Sequence, residues 1–133
     1  MDPCTTVSIV SDADIVTARQ QGRTFVLELG FSSQDARVVA TVISELARNI
    51  VLYAAPGEIV LRPVERDGRS GVLVIARDGG PGISDVHRAA IDDVSAVDGM
   101  RLGLRGTKRL MDEFEIVSGA GQGTTVALKK WKT

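Results

Sequence analysis

Residues 44–50 read SELARNI and lie in the C-terminal half of a strongly amphipathic helical pattern. Its apolar positions recur at spacings of four, three, four and three, which predicts a helix that starts at Ser32 and ends at Pro56-Gly57. Those positions are Val39, Ile43, Leu46, Ile50 and Tyr53. Glu45 and Asn49 are four residues apart, so they lie one turn apart on one face, at the border of the apolar stripe.

That border position gives the two polar residues two interpretations. A carboxylate that takes a proton, beside an amide oxygen that binds a hard cation, suits phosphoryl transfer at the rim of a cleft. The alternative is a helix flank whose side chains bond to neighbouring groups or to solvent. The spacing of Glu45 and Asn49 alone leaves both open.

A second candidate site follows the most apolar run of the chain, GVLVIA at residues 71–76. Six consecutive small or apolar residues predict a strand that is buried on both faces or central in the sheet. Asp78 ends this strand, and the sequence continues GGPGI. An acidic residue there can accept a hydrogen bond from an exocyclic amine, and the glycines allow close approach to a flat ring. A strand-ending turn explains the same residues equally well.

Two glycine-rich segments follow. Residues 99–106, GMRLGLRG, open a predicted helix, where backbone N–H groups can form an anion site. They match neither the P-loop nor the dinucleotide-binding pattern, so a plain loop-to-helix junction is the alternative. Residues 121–125, GQGTT, read alone as a β-turn before a final strand.

Taken in this order, the four motifs resemble the GHKL ATP-binding superfamily. Residues 44–50 and the stretch GTKRLMDEF at 106–114 are similar to RsbT-type switch kinases of bacterial stressosomes. The resemblance covers nearly the whole chain and implies a single domain over residues 1–133. It implies a Bergerat fold, an α/β two-layer sandwich with a mixed sheet and helices on one face.

The resemblance also implies a role for each matching residue. Glu45 would be the general base, and Asn49 would hold Mg²⁺ that bridges the phosphates of ATP. Asp78 would bind the adenine amino group. The remaining implied ATP-binding residues are Gly80 and Gly82 at the base, Gly99, Arg101 and Gly103 in the lid, and Thr124 on the adenine side.

The lid departs from the family pattern at two positions. Arg101 stands where the family has a middle glycine, and Arg105 replaces a usual proline. Loss of a glycine can forbid a positive-φ turn at a phosphate. An arginine can instead neutralise γ-phosphate charge. The sequence leaves both open.

In function, the resemblance implies a serine/threonine kinase of stress signalling that phosphorylates STAS-domain scaffold and antagonist proteins. Such a kinase then activates a PP2C-type phosphatase or another output protein by partner switching. Two alternatives stay open: a nucleotide-binding docking module without catalysis, and an RsbW-like anti-sigma factor.

Composition narrows the function classes further. The chain has 133 residues, with 16 Lys and Arg against 17 Asp and Glu, and this balance argues against nucleic acid as the main partner. One Cys and one His exclude a disulfide framework and a Cys-based zinc site. We expect a cytoplasmic protein without a membrane partner, because no apolar run of membrane-spanning length and no signal-peptide pattern is present.

The other predicted elements follow from local patterns. A helix from an Asp12 cap to about Leu29 follows an edge strand at residues 5–10. Strands at 58–65 and 70–77 form a hairpin about Asp67-Gly68, since Asp-Gly favours a tight turn. Further predictions are a short helix within 84–94, a loop at 97–106 and a helix that includes 108–114. Strands at 115–118 and 124–131 close the chain.

Overall fold

The computed structural model describes residues 4–54, 56–79, 109–118 and 123–132. Within them a sheet is covered on one face by two helices, which confirms the predicted two-layer α/β class. In chain order the elements are β1 (Thr5–Ile9), α1 (Asp12–Glu28), α2 (Ser33–Asn49), a π-helical turn (Ile50–Ala54), β2 (Gly57–Arg66), β3 (Arg69–Asp78), β4 (Glu113–Ser118) and β5 (Thr124–Trp131).

The described part of the sheet has five strands in the order β1-β2-β3-β5-β4, and every pairing among them is antiparallel. β3 is the central strand, as its apolar run predicted. Val72, Val74 and Ala76 pack in the core with the helices, while Ile75 on the opposite face is also buried. The sheet therefore presents one apolar face to α1 and α2.

The β2–β3 hairpin confirms the prediction made from Asp67-Gly68. Both residues have positive φ, 52° and 78°, as a two-residue type I′ turn requires. Arg66 pairs with Arg69 across the turn, and each strand extends one residue further at both ends than predicted.

The first helix begins one residue earlier than the sequence indicated. Ser11, not Asp12, is its N-cap, and the Asp14 carboxylate accepts hydrogen bonds from the backbone N–H groups of Val10 at 2.8 Å and Ser11 at 3.0 Å. These two bonds lower the pKa of Asp14. The predicted stop at Gly30 is confirmed by its φ of +92°.

The second helix begins as predicted, because Ser32 Oγ accepts a hydrogen bond from the Asp35 N–H at 3.1 Å. It ends regularly at Asn49, and a π-helical turn replaces the last predicted residues. The two helices approach closely at Gly22, where an added Cβ would overlap Ile43 Cδ1. Gly22 therefore sets the helix–helix distance.

One predicted helix is wrong in part. Residues 109 and 110 are helical, but Glu113 and Phe114 belong to β4. Pairing with β5 overrides the local helical pattern. The Asp112 carboxylate accepts a hydrogen bond from the Trp131 backbone N–H at 2.7 Å, and the Glu113 carboxylate accepts one from Trp131 Nε1–H at 2.8 Å. The predicted short helix within 84–94, the loop at 97–106 and the turn residues 119–122 lie outside the described residues.

Among the described helices, none is long and apolar enough to cross a bilayer.

Candidate functional site

The candidate site lies at one end of the sheet, where each of the five described strands begins or ends. The register places Ile9, Gly57, Asp78, Thr124 and Ser118 on one rung across the sheet. Side chains alternate between the faces of a sheet, so Asp78 and Thr124 share the helix-covered face with Ala76 and Val126. Asp78 at the end of β3 and Thr124 at the start of β5 are therefore direct cross-strand neighbours.

Burial differs between these two neighbours. Thr124 is 4 % exposed and is the buried polar residue of the described chain, whereas Asp78 is half-buried. Side chains opposite each other on paired strands lie about 5 Å apart at Cβ. A carboxylate and a hydroxyl at this separation can act together on one flat polar ligand.

Two glycines bring other backbone segments against Asp78. An added Cβ at Gly57 would meet Ile50 Cγ2 at 2.7 Å and would overlap the Arg77 carbonyl oxygen. Gly123 has a φ of +78°, and an added Cβ there would overlap the Asp78 carbonyl oxygen. Sequence reasoning missed both, because it read Gly57 as a helix stop and Gly123 as part of a turn.

The surface beside Asp78 is open. Gly79 is exposed, and a Cβ added to it would meet no atom of the described residues within 4 Å. A cleft of about 420 Å³ lies here, lined by residues 56–58 and 77–79. Its outer rim carries an ion pair in which Arg77 Nη1 lies 3.4 Å from Glu58 Oε2.

The C-terminal end of α2 reaches the same rung. Glu45 and Asn49 are both half-buried, as their border position predicted. Ile50, the next residue after Asn49, packs over Gly57, which is the rung neighbour of Asp78. The π-helical turn that begins at Ile50 makes this approach, and such turns are frequent at functional sites.

The Asn49 side chain carries an unused hydrogen-bonding group. Its Nδ2 is buried and has no partner within the described residues. Leaving a buried donor unpaired costs about 1–3 kcal/mol, so the position favours a bound ligand. An amide offers an oxygen that binds cations and an NH₂ that donates to anions. Asn49 therefore fits a magnesium–phosphate group chemically.

The described residues offer no cluster of acidic, His or Cys ligands for a metal ion besides Asn49. In the described ranges no group of three or more His, Cys, Asp or Glu residues could hold a metal ion. Magnesium needs no such cage, because it keeps several waters and takes few protein ligands together with substrate phosphates. The other predicted ATP-binding residues, Gly80, Gly82, Gly99, Arg101 and Gly103, lie outside the described residues, as does Arg105.

These elements form a two-layer α/β domain, and residues 10–130 match the Histidine kinase-like ATPase domain family. The chain belongs to that family. It is 48 % identical over 125 residues to the Serine/threonine-protein kinase RsbT of Bacillus subtilis (strain 168), with 94 % of each chain covered. The resemblance to RsbT-type kinases predicted from the motifs is confirmed.

Proposed function

We propose that this chain is a serine/threonine kinase that transfers the γ-phosphate of ATP to a hydroxyl of a STAS-domain protein in stress signalling. The observation that carries the proposal is the buried amide of Asn49, whose Nδ2 has no hydrogen-bond partner among the described residues. It lies at the helix end that packs on the Asp78 rung. The 48 % identity to a serine/threonine-protein kinase supports the same reaction class.

The nucleotide base would bind at the rung. The Asp78 carboxylate accepts a hydrogen bond from the exocyclic amine of adenine, and the Thr124 hydroxyl supports the same edge of the ring. Gly57 and Gly123 keep the surrounding backbone close, since neither position has room for a Cβ. The open surface at Gly79 leaves space for the ring itself.

The phosphates would lie toward the end of α2. Asn49 would hold Mg²⁺, which neutralises charge on the triphosphate when it is bound. Glu45, one helical turn earlier, takes the proton from the acceptor hydroxyl. The hydroxyl oxygen forms a bond to the γ-phosphorus, the bond from that phosphorus to the bridging oxygen breaks, and ADP leaves.

Partner switching completes the proposal. STAS-domain scaffold and antagonist proteins are the acceptors, and a PP2C-type phosphatase or another output protein is the second partner. The resemblance to RsbT-type kinases implies this pair, and the 48 % identity to RsbT supports partners in stress signalling.

The first test is a calorimetric titration of Mg-ATP into the wild type, Asp78→Asn and the control Glu65→Gln. Glu65 is an exposed carboxylate of the same sheet, so its substitution changes the charge equally. We expect binding in the wild type and the control and loss of binding in Asp78→Asn. Equal binding in all three proteins would contradict the adenine role of Asp78.

Phosphotransfer onto purified STAS-domain proteins, followed with γ-labelled ATP, then tests the reaction. Label on a serine or threonine of one of them supports the kinase. ATP binding without transfer to any STAS-domain protein would overturn the kinase proposal in favour of the docking module. Co-purification of a sigma factor would favour the anti-sigma alternative.

A further inference from the structure

A second concave surface lies between α1 and α2, apart from the Asp78 rung. This groove has a volume of about 510 Å³, and α1 and α2 form its two walls. The residues that matter here are Arg19, Arg23, Arg37, Thr41, Ser44 and Glu45. The groove therefore contains the proposed general base and three arginines.

Within the described ranges, the side chains of these arginines form no ion pair, whereas those of Arg66 and Arg77 do. Arg66 binds Glu113 at 2.9 Å on the sheet. In contrast, the guanidinium groups of Arg19, Arg23 and Arg37 have neither an ion pair nor a hydrogen-bonding partner anywhere in the described ranges. The backbone carbonyl of Arg37 accepts a hydrogen bond from the Thr41 hydroxyl at 3.0 Å. Three of the four charged side chains that line the groove are arginines, so its field attracts negative charge.

The α2 wall leads directly to Glu45. Arg37, Thr41 and Ser44 follow one another at spacings of four and three, so they form one stripe along the helix. Glu45 adjoins the C-terminal end of this stripe. A chain segment lying along the arginines would therefore reach the general base at one end.

Two exposed apolar side chains lie on the same face of α1, beyond the residues that line the groove. Val16 and Leu27 are 44 % and 41 % exposed, and they share a helical stripe with Gln20 and Arg23 at spacings of four, three and four. This stripe of α1 thus has an apolar side chain at each end and an arginine between them. An acidic segment with apolar residues at its ends complements both its charge and its pattern.

We propose that this groove docks an acidic segment of the phosphate-accepting protein and positions its hydroxyl at Glu45. The identity of that protein rests on the proposed function. Arg23 and Arg37 are positioning residues, because they hold the substrate and leave the proton transfer to Glu45. Their contribution is electrostatic, so it weakens with ionic strength.

The test measures phosphotransfer to a STAS-domain acceptor at saturating ATP for the wild type, Arg23→Glu and Arg37→Glu. Arg62→Glu is the control. Arg62 is an exposed arginine on β2, and its side chain lies on the sheet face opposite to that of the core residue Leu61. We expect KM for the acceptor to rise on the order of tenfold in each groove variant, with little change in kcat. The wild-type KM should rise with added salt, and the control should follow the wild type.

Other outcomes overturn the proposal. A groove variant that behaves as the Arg62→Glu control shows that the arginines do not bind the acceptor. A fall in kcat at constant KM assigns them to the chemistry. Weaker Mg-ATP binding in Arg37→Glu, measured by calorimetry, shows that the groove belongs to the nucleotide site.

A separate measurement applies if the wild type transfers no phosphate, which would overturn the proposed function alone. Fluorescence anisotropy then follows a labelled ten-residue peptide with four Glu, one Ser and a Leu near each end. If Arg37→Glu abolishes peptide binding and Arg62→Glu retains it, the result supports docking of an acidic segment even without phosphotransfer. No binding to the wild type overturns the groove proposal as well.

Discussion

At the residue scale, the Asn49 amide separates stability from function. Asn49 Nδ2 has no hydrogen-bond partner in the described structure, so Asn49→Ala breaks no hydrogen bond of Nδ2 there. We expect the free energy of unfolding to stay within about 1 kcal/mol of the wild type or to rise, since an unpaired buried donor is lost. Phosphotransfer should fall by about 100-fold or more.

Urea unfolding and a phosphotransfer assay measure the two quantities on the same samples. Gln34→Ala, at an exposed position near the start of the same helix, is the control and should change neither. An Asn49→Ala protein with wild-type activity would remove Asn49 from the site.

A second prediction at this scale concerns Glu113. The hydrogen bond from Trp131 Nε1–H and the one from Arg66 lower the pKa of Glu113 below its usual value. The unfolded chain therefore binds this proton more readily than the folded protein in the acid range. The stabilisation is present above the ordinary glutamate pKa and is lost as pH falls through the lowered folded pKa.

Glu113→Gln should therefore destabilise the protein more at pH 7 than at pH 3. The chain has one tryptophan, so Trp131 fluorescence during urea unfolding reports the transition without interference. Glu115→Gln on the same strand is the control, because Glu115 is exposed. A difference between wild type and Glu113→Gln that is independent of pH would exclude the charge as its cause.

At the element scale, two glycines with the same φ of +78° allow a matched comparison of turns. Gly68 has open space around it, whereas a Cβ on Gly123 would overlap the Asp78 carbonyl oxygen. Gly68→Ala should cost about 1 kcal/mol, the penalty of the left-handed backbone alone. Gly123→Ala should cost about 3 kcal/mol, because steric overlap adds to that penalty.

Only Gly123→Ala should also weaken Mg-ATP binding, since the overlap displaces the end of β3. Thermal unfolding and calorimetry measure both effects. Equal behaviour of the two variants would show that the close approach at Asp78 has no part in the site.

The helix pair gives another prediction at this scale. An alanine at Gly22 gains about 1 kcal/mol of helix propensity but overlaps Ile43 Cδ1, whose side chain is fully buried. Gly22→Ala should therefore be destabilising, and Ile43→Val, which removes Cδ1, should relieve the overlap. The double variant should be more stable than the sum of the two single effects by about 1 kcal/mol.

Urea unfolding of the four proteins completes this double-mutant cycle. Strict additivity would mean that the two helices separate to accept the methyl group without involving Ile43.

At the scale of the whole molecule, local patterns predicted most of the fold. Asp67-Gly68 predicted the hairpin because the turn conformation depends on those two residues. The amphipathic spacing of α2 predicted its buried face and the half-buried positions of Glu45 and Asn49. In both cases the information lies within a few neighbouring residues.

Contacts between distant residues could not be predicted in this way. The helical pattern before β4 ends where Asp112 bonds to Trp131, a residue 19 positions later. Likewise, no local signal places Gly57 next to Asp78, because this neighbourhood depends on the register of β2 against β3. The resemblance supplied the candidate residues, and strand pairing supplied their arrangement.

The shared rung at which the five described strands begin or end makes nucleotide binding sensitive to errors in folding. A slip of one residue between β3 and β5 would turn Asp78 and Thr124 to opposite faces of the sheet. The same slip would turn Val126 and Leu128 of β5 away from the core, so core packing and the arrangement of the candidate site would be lost together. If Asp78 and Thr124 bind the base as proposed, ATP affinity would therefore report whether β3 and β5 are correctly paired.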